Sequence, residues 1–246
     1  MRKMLCASMA ASAWMLGPAV AADLSVAPIY KAAPAPVATW TGSYVGIAGG
    51  GAWGSAVVHN TTTGVDQTPR FDLSGAIVGV TTGLQVQSGN VVIGYEGDTS
   101  ITSKKGSAFE FPPNAGFSNE VRERWLSTFR GRVGVTQNNT WLFYATAGAA
   151  LASVDHTISS PAGTAIAEKN WHWGWTAGAG VEVKISPDWS AKMEYLYVGL
   201  QDKSYFNPAP VAGFPSNQQV RFDDHLVRVG VNYKLPWNVL DTFFKR

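Results

Sequence analysis

The stretch Trp171–Leu200, WHWGWTAGAGVEVKISPDWSAKMEYLYVGL, decides how the rest of the chain is read. It reads as two β-strands joined by the tight turn Ser186-Pro187-Asp188-Trp189. One parity of the first strand is Trp173, Trp175, Ala177, Ala179, Val181, Val183 and Ile185. The other is His172, Gly174, Thr176, Gly178, Gly180, Glu182 and Lys184. In the second strand Ala191, Met193, Tyr195 and Tyr197 share a face, and Lys192 and Glu194 share the opposite one. Side chains alternate across a strand with period two, so the hairpin has an apolar, aromatic face and a charged face. In a soluble sheet the apolar face is covered and the polar one meets water. In a membrane barrel the apolar face meets lipid and the charges point into the lumen.

The flanking chain decides between these. Strands are expected over Trp40–Trp53, Ser74–Val86, Val91–Ile101, Arg122–Val135 and Trp141–Val154, then the two of the hairpin, then Phe222–Leu235. Adjacent aromatics from Trp141 to Tyr144 leave the faces of the fifth strand unassigned. Long loops over His59–Phe71, Ser103–Asn119, Asp155–Asn170 and Gln201–Gln219 alternate with tight turns at 87–90, 137–140 and 186–189. That alternation predicts an all-β chain forming an eight-stranded antiparallel up-and-down transmembrane β-barrel, with short turns in the periplasm and long loops outside. A soluble lipocalin-like barrel would instead line its interior with apolar groups. The predicted strands, 11 to 15 residues long, exceed the ~9–11 residues that cross a bilayer.

Composition agrees. The chain is 46% hydrophobic and 15% charged, with 26 Gly and 10 Trp, which favours short Gly-rich strands over helices. Arg2 and Lys3, the short apolar run Met4–Leu16 and the small residues Ala19–Ala22 form a secretory signal peptide over 1–22. Its removal takes Arg2 and Lys3 from the 19 basic residues and leaves 17 against 17 acidic ones. The mature chain is therefore near neutral and gives no nucleic-acid signal. Cys6, the single cysteine, lies in that leader, so no disulfide is expected in the mature chain. Residues 23–39, with Pro28, Pro34 and Pro36, read as an extended periplasmic linker. The barrel is placed over 40–235, with a C-terminal extension over 236–246.

The charged parities nominate a lumen set of Glu96, Asp98, Arg124, Arg130, Arg132, Glu182, Lys184, Lys192, Glu194 and Arg228. Eight strands enclose a lumen that side chains can fill, and charges there must be paired. A plug of ion pairs is the first reading, and a narrow porin channel is the alternative. Glu96 and Asp98 beside arginines are ion-pair members rather than an acid–base dyad. His59, His156, His172 and His225 show no metal-ligand spacing, and no Gly-x-Ser-x-Gly elbow occurs. The expectation is therefore no enzyme, no metal and no cofactor. His156 and His172 flank a loop beside Trp171, Trp173 and Trp175. They suit either an aromatic belt or a haem contact. Lys104-Lys105 fits lipopolysaccharide phosphates or a solvated loop.

Several motifs carry a family resemblance: Trp40-Thr41-Gly42-Ser43-Tyr44-Val45-Gly46, Gly94-Tyr95-Glu96-Gly97-Asp98, Arg130-Gly131-Arg132-Val133-Gly134, Trp141–Gly148, Gly178–Glu182, Lys192–Val198 and the VRVGVNYK segment ending at Lys234. Together they resemble alphaproteobacterial outer-membrane β-barrel proteins of the porin family, typified by outer-membrane proteins of Brucella and rhizobial relatives. The resemblance covers essentially the whole mature chain. It implies residence in the cell outer membrane, contact with its lipids and lipopolysaccharide, and insertion by the barrel-assembly machinery. It also implies a structural role in envelope integrity and surface properties, or a surface receptor for haem, a small molecule or host molecules. One departure stands out. The family ends on an aromatic residue after the last strand, whereas Tyr233-Lys234-Leu235 has Leu there and Pro236–Arg246 follows.

Overall fold

The computed structural model describes residues 39–207 and 211–236. The leader expected over 1–22, and nearly all of the linker and the C-terminal extension, lie outside the described residues. Ten strand segments are present: β1 Gly42–Asn60, β2 Phe71–Ser88, β3 Val91–Thr102, β4 Lys105–Phe109, β5 Ser118–Gln137, β6 Trp141–Ser159, β7 Ala165–Lys184, β8 Trp189–Leu200, β9 Lys203–Tyr205 and β10 Gln218–Lys234. They form eight staves. β4 pairs with β5 and meets β2 at Ser74↔Lys105, so it continues the stave begun by β3. β9 pairs with β10 and continues β8. Each neighbouring pair is antiparallel, and β1 pairs with both β2 and β10, which closes the ring. Closure leaves no unpaired edge, as a bilayer requires.

The alternation seen in the sequence sets the two faces. Val80, Ile93, Phe129, Met193 and Val229 point outward and are 54–63% exposed. A belt of Trp53, Trp125, Trp171, Trp173 and Trp175 rings the loop end of this apolar surface, and Trp141, Trp189 and Tyr233 mark the turn end. Between Trp173 and Val183, the register partner of Trp141, β7 runs ten residues. At ~3.3 Å per residue and a tilt of ~40° that is about 25 Å, the height of a barrel's lipid-facing band. Trp at both borders places the rings at headgroup depth.

The staves are longer than the sequence pattern indicates. β5 and β7 each have 20 residues, about 50 Å of height at the same tilt. Most of the excess projects beyond the loop-end belt. The connection expected over Asp155–Asn170 shrinks to residues 160–164, because β6 and β7 keep pairing up to Ser159↔Ala165. Likewise β1 runs to Asn60, β2 starts at Phe71, and β4 and β9 lie inside expected loops. The reason is a reversal of polarity. Above the belt the outer wall meets water, and Asp155, Thr157 and Ser159 face out. Meanwhile Val154 and Ile158 are fully buried inside. A rule that looks for apolar residues on the outer face fails there.

The fifth stave, whose faces the sequence leaves open, resolves simply. Leu142 and Tyr144 are buried in the lumen, while Trp141 and Phe143 face out.

Candidate functional site in the barrel lumen

The lumen is filled in layers from the turn end upward. Trp40 forms the floor. Its indole nitrogen donates to Thr136 Oγ1 at 2.9 Å, its amide donates to Gln87 Oε1 at 2.8 Å, and the Lys184 ammonium sits 4.6 Å from a ring centroid. A recess of about 30 Å³ opens beside it, lined in part by Tyr44, Gln85, Glu182 and Asn232. Such a volume holds one or two waters.

Above lies an ion-pair plug built from five staves, β3, β5, β7, β8 and β10. Arg130 reaches Glu96 at 2.7 Å, Asp98 at 2.8 Å and Glu194 at 3.1 Å. Arg228 binds Asp98 at 2.9 Å and Glu194 at 2.7 Å. Lys192 donates to both Glu96 oxygens, at 2.8 and 2.9 Å. Arg132 pairs with Glu182, which also accepts from Ser190 at 2.5 Å and Asn232 at 2.9 Å. Four cations face four carboxylates, and each of the eight side chains is at most 2% exposed. Burial of this kind is tolerated only when charges cancel and the remaining lone pairs are met. Here Thr128 donates to Asp98 at 2.5 Å and Tyr44 to Glu96 at 2.8 Å.

Two glycines make room for this plug. Tyr44 lies across Gly83, and Tyr144 lies across Gly180, each its cross-strand register partner. A Cβ on either glycine would collide with the tyrosine ring. The Tyr144 ring in turn carries the Arg132 guanidinium 3.8 Å from its centroid.

Of the ten charges nominated from sequence, Glu96, Asp98, Arg130, Arg132, Glu182, Lys192, Glu194 and Arg228 come together in the plug. Two do not join it. Lys184 lies at the floor over Trp40. Arg124 lies outside the barrel, half-exposed, with Nε donating to Asp155 at 2.5 Å. A β-bulge between Glu123 and Trp125 shifts the register by one residue. It puts Arg124 and Trp125 both outward and turns Glu123 into the lumen.

That inward Glu123 belongs to a second ionic layer that the sequence reading missed. Lys104 binds Glu123 at 2.8 Å and also pairs with Asp224, all three fully buried. Lys104 and Lys105 are therefore split between the two sides of the wall, the first buried and the second exposed. Between the two ionic layers Ala52, Ile77, Leu126, Ala150, Leu196 and Leu226 are all buried, and Ser100, the register partner of Leu126, is a buried polar residue among them.

The loop end is capped. Tyr205 and Phe206 are buried in the mouth, with the Phe206 amide donating to Glu168 at 2.5 Å. His172 donates from Nδ1 to the Gln201 carbonyl at 2.9 Å and accepts the Tyr205 hydroxyl at Nε2 at 2.7 Å. Asn119 donates to Glu110 at 2.9 Å, which orients its amide oxygen toward His156 Nε2 at 2.8 Å. That leaves His156 Nδ1 without a partner among the described residues, against Tyr205 and Phe206. His156 sits above the Trp belt, outside the membrane-spanning height, and burial pushes its pKa down to about 3. Both imidazoles point into the mouth, while Trp171, Trp173 and Trp175 point outward. The geometry does not join those histidines to the tryptophans as one haem-facing surface.

An apolar band between aromatic belts, around a charged interior closed by eight staves, is the architecture of an outer-membrane barrel. The family model for an outer-membrane protein β-barrel domain matches residues 19–234. The chain belongs to that family. It is 33% identical over 231 residues to the 31 kDa outer-membrane immunogenic protein of Brucella melitensis, covering 88% of this chain and 93% of that protein. It is 28% identical over 200 residues to the 22 kDa outer membrane protein of Rhizobium leguminosarum, covering 81% and 80%. Among solved structures, the outer membrane protease OmpT of Escherichia coli matches with TM-score 0.50 at 8% identity, over 79% of this chain and 97% of that one. At that identity the likeness concerns the barrel fold alone. The family and the names of these relatives place this outer-membrane β-barrel protein in the outer membrane. The matched Brucella protein is named as immunogenic rather than by an enzymatic activity.

Proposed function

We propose that this outer-membrane barrel is structural. It supports envelope integrity and surface properties, with its lumen sealed by side chains and its loop end outside the cell. In this reading both ends of the barrel chain are periplasmic, and the assembly machinery reads Tyr233 and Leu235 at the close of β10. The observation that carries the proposal is the charge-balanced plug of Arg130, Arg132, Arg228 and Lys192 with Glu96, Asp98, Glu182 and Glu194. The layer of Leu126, Leu196 and Leu226 stacked on it supports the same reading. A conducting porin needs a continuous water path, and an ion would have to cross both layers. Each plug carboxylate is ion-paired with arginine or lysine, so none is poised as a general acid or base.

The test is fractionation of the expressing cell, gel migration with and without boiling, and conductance in planar bilayers. The expected result is an outer-membrane protein whose unheated form migrates as a folded barrel and whose bilayers stay sealed. Stepwise ion conductance from the wild-type protein would overturn the sealed reading, and recovery from the periplasm in soluble form would overturn the membrane one.

A further inference from the structure

The outer wall above the Trp belt is electrostatically lopsided. On the side of β4 to β7, Lys105, Arg122, Arg124 and Lys169 all face out. The registers Lys105↔Arg122, Arg122↔Asp155 and Asp155↔Lys169 set three of them in one row across four neighbouring strands. At ~4.8 Å between strands the row spans about 14 Å. Two acids sit among the cations. Asp155 accepts Arg124 at 2.5 Å, and Glu120 accepts Arg122 at 3.2 Å. Two positive charges are left over. On the other half of the barrel, Asp66, Asp72, Asp202 and Asp223 outnumber Arg70, Lys203 and Arg221 by one, and Asp72, on β2, borders the Lys105 end of the row.

The depth of the basic row is set by what lies under it. Trp125 follows Arg124 directly in the bulge, and Trp171 carries the Lys169 ammonium 5.7 Å from its ring centroid. Below them Phe129 and Trp173 continue the apolar wall. The cations thus stand one step outside the aromatic belt, where a lipid's charged groups lie and its acyl chains run down alongside. The β-bulge is what brings Arg124 there. Without the register shift its side chain would point into the lumen.

We propose that this face, built on Lys105, Arg122, Arg124 and Lys169, binds the phosphates of an outer-leaflet phosphoglycolipid, the lipid A part of lipopolysaccharide. Lipid A carries acyl chains for the apolar wall and a phosphate at each end of a disaccharide for the basic row. Guanidinium and ammonium groups are the side chains that bind phosphate, the first in a bidentate fork and the second as a point charge. The other half of the barrel offers no such row of cations, so a single lipid is held on one side of the barrel.

The inference rests on the loop end being outside. The experiment uses the folded protein in phosphatidylcholine nanodiscs, offered bis-phosphorylated lipid A or the same lipid A stripped of phosphate, with retained lipid counted by native mass spectrometry. The triple variant K105Q/R122Q/K169Q keeps Arg124 on Asp155 and leaves the lumen untouched. With each cation near a lipid surface contributing about fivefold, the triple variant is expected to lose about a hundredfold of the preference for phosphorylated lipid A. The opposite-wall variant R70Q/R221Q is expected to bind as the wild type does. Equal retention of the two lipids by the wild type overturns the proposal. So does an unchanged preference in the triple variant, or an equal loss in R70Q/R221Q. The heat-dependent gel shift confirms that each variant is folded. A sealed bilayer with no lipid preference would sink this inference and leave the structural reading standing.

Discussion

Replacing Arg228 with leucine tests whether the plug is one charge-balanced unit. Arg228 donates to Asp98 Oδ1 at 2.9 Å and to Glu194 Oε1 at 2.7 and 3.1 Å. Its removal leaves four carboxylates against three cations, in a lumen where none of the eight groups is more than 2% exposed. Asp98 keeps Arg130 at 2.8 Å and Thr128 at 2.5 Å. Glu194 keeps Arg130 at 3.1 Å and Lys192 at the longer 3.7 Å. The cost is that of an uncompensated buried charge, about 3–5 kcal/mol, or roughly two to four decades in the folding equilibrium. The charge-neutral double variant R228L/D98L removes one cation and one anion together, and apolar replacement of a whole buried pair is often close to neutral. It should therefore recover at least half of the loss. Stability is read from urea titrations of the barrel in lipid vesicles, scored by the fraction that keeps its folded, unheated gel mobility. Neither variant should conduct ions, because Leu126, Leu196 and Leu226 still close the lumen above the plug. An R228L barrel within ~0.5 kcal/mol of wild type, the scatter of an ordinary surface substitution, would refute the claim that the plug is energetically coupled. So would a double variant weaker than the sum of its singles.

Two further outcomes follow from the same packing. Gly180→Val places a side chain where the Tyr144 ring lies under Arg132; the overpacking should cost about 1–3 kcal/mol, and a wild-type urea midpoint for that variant would show that the Tyr–Gly contact is dispensable. The second concerns acid. His156 is held neutral in the folded mouth, with its pKa pushed down to about 3 from 6.5. A histidine depressed in the folded state contributes stability that is complete above pH 6.5 and is lost as pH falls, by up to ~1.4 kcal/mol per unit. Between pH 6.5 and 5 the wild type should lose about 2 kcal/mol more than His156→Gln, compared by urea midpoints at the two pH values, and parallel losses would rule out His156 as the source.

How far these features could be read in advance depends on which solvent each stretch of wall faces. Between the belts the outside is lipid, polarity alternates in one sense, and the pattern around Glu96, Arg130, Glu182 and Glu194 placed those side chains on a common inner face. Above the belt the outside is water, and the inside is filled by Val154, Ile158, Tyr205 and Phe206. The same period-two alternation persists there with its sign reversed, so a rule built on lipid contact reads strand as loop over Asp155–Ser159 and Ala165–Asn170. The bulge is a different kind of failure. One extra residue at Glu123–Trp125 inverts parity for everything beyond it. Carrying the parity of Arg130 and Arg132 along the strand sets Arg124 inward and leaves Glu123 out of the lumen set. A signal was present in the adjacent pair Arg124-Trp125. If the parity of Arg130 held through this point, Arg124 would sit in the lumen directly beside an outward Trp125, and Glu123 would be stranded in the lipid-side row at belt height. Shifting parity there places Glu123 within reach of Lys104 and Asp224 and frees Arg124 to stand beside Trp125. Charge balance on both faces fixes the parity on each side of the bulge, and with it both the second ionic layer and the basic outer row.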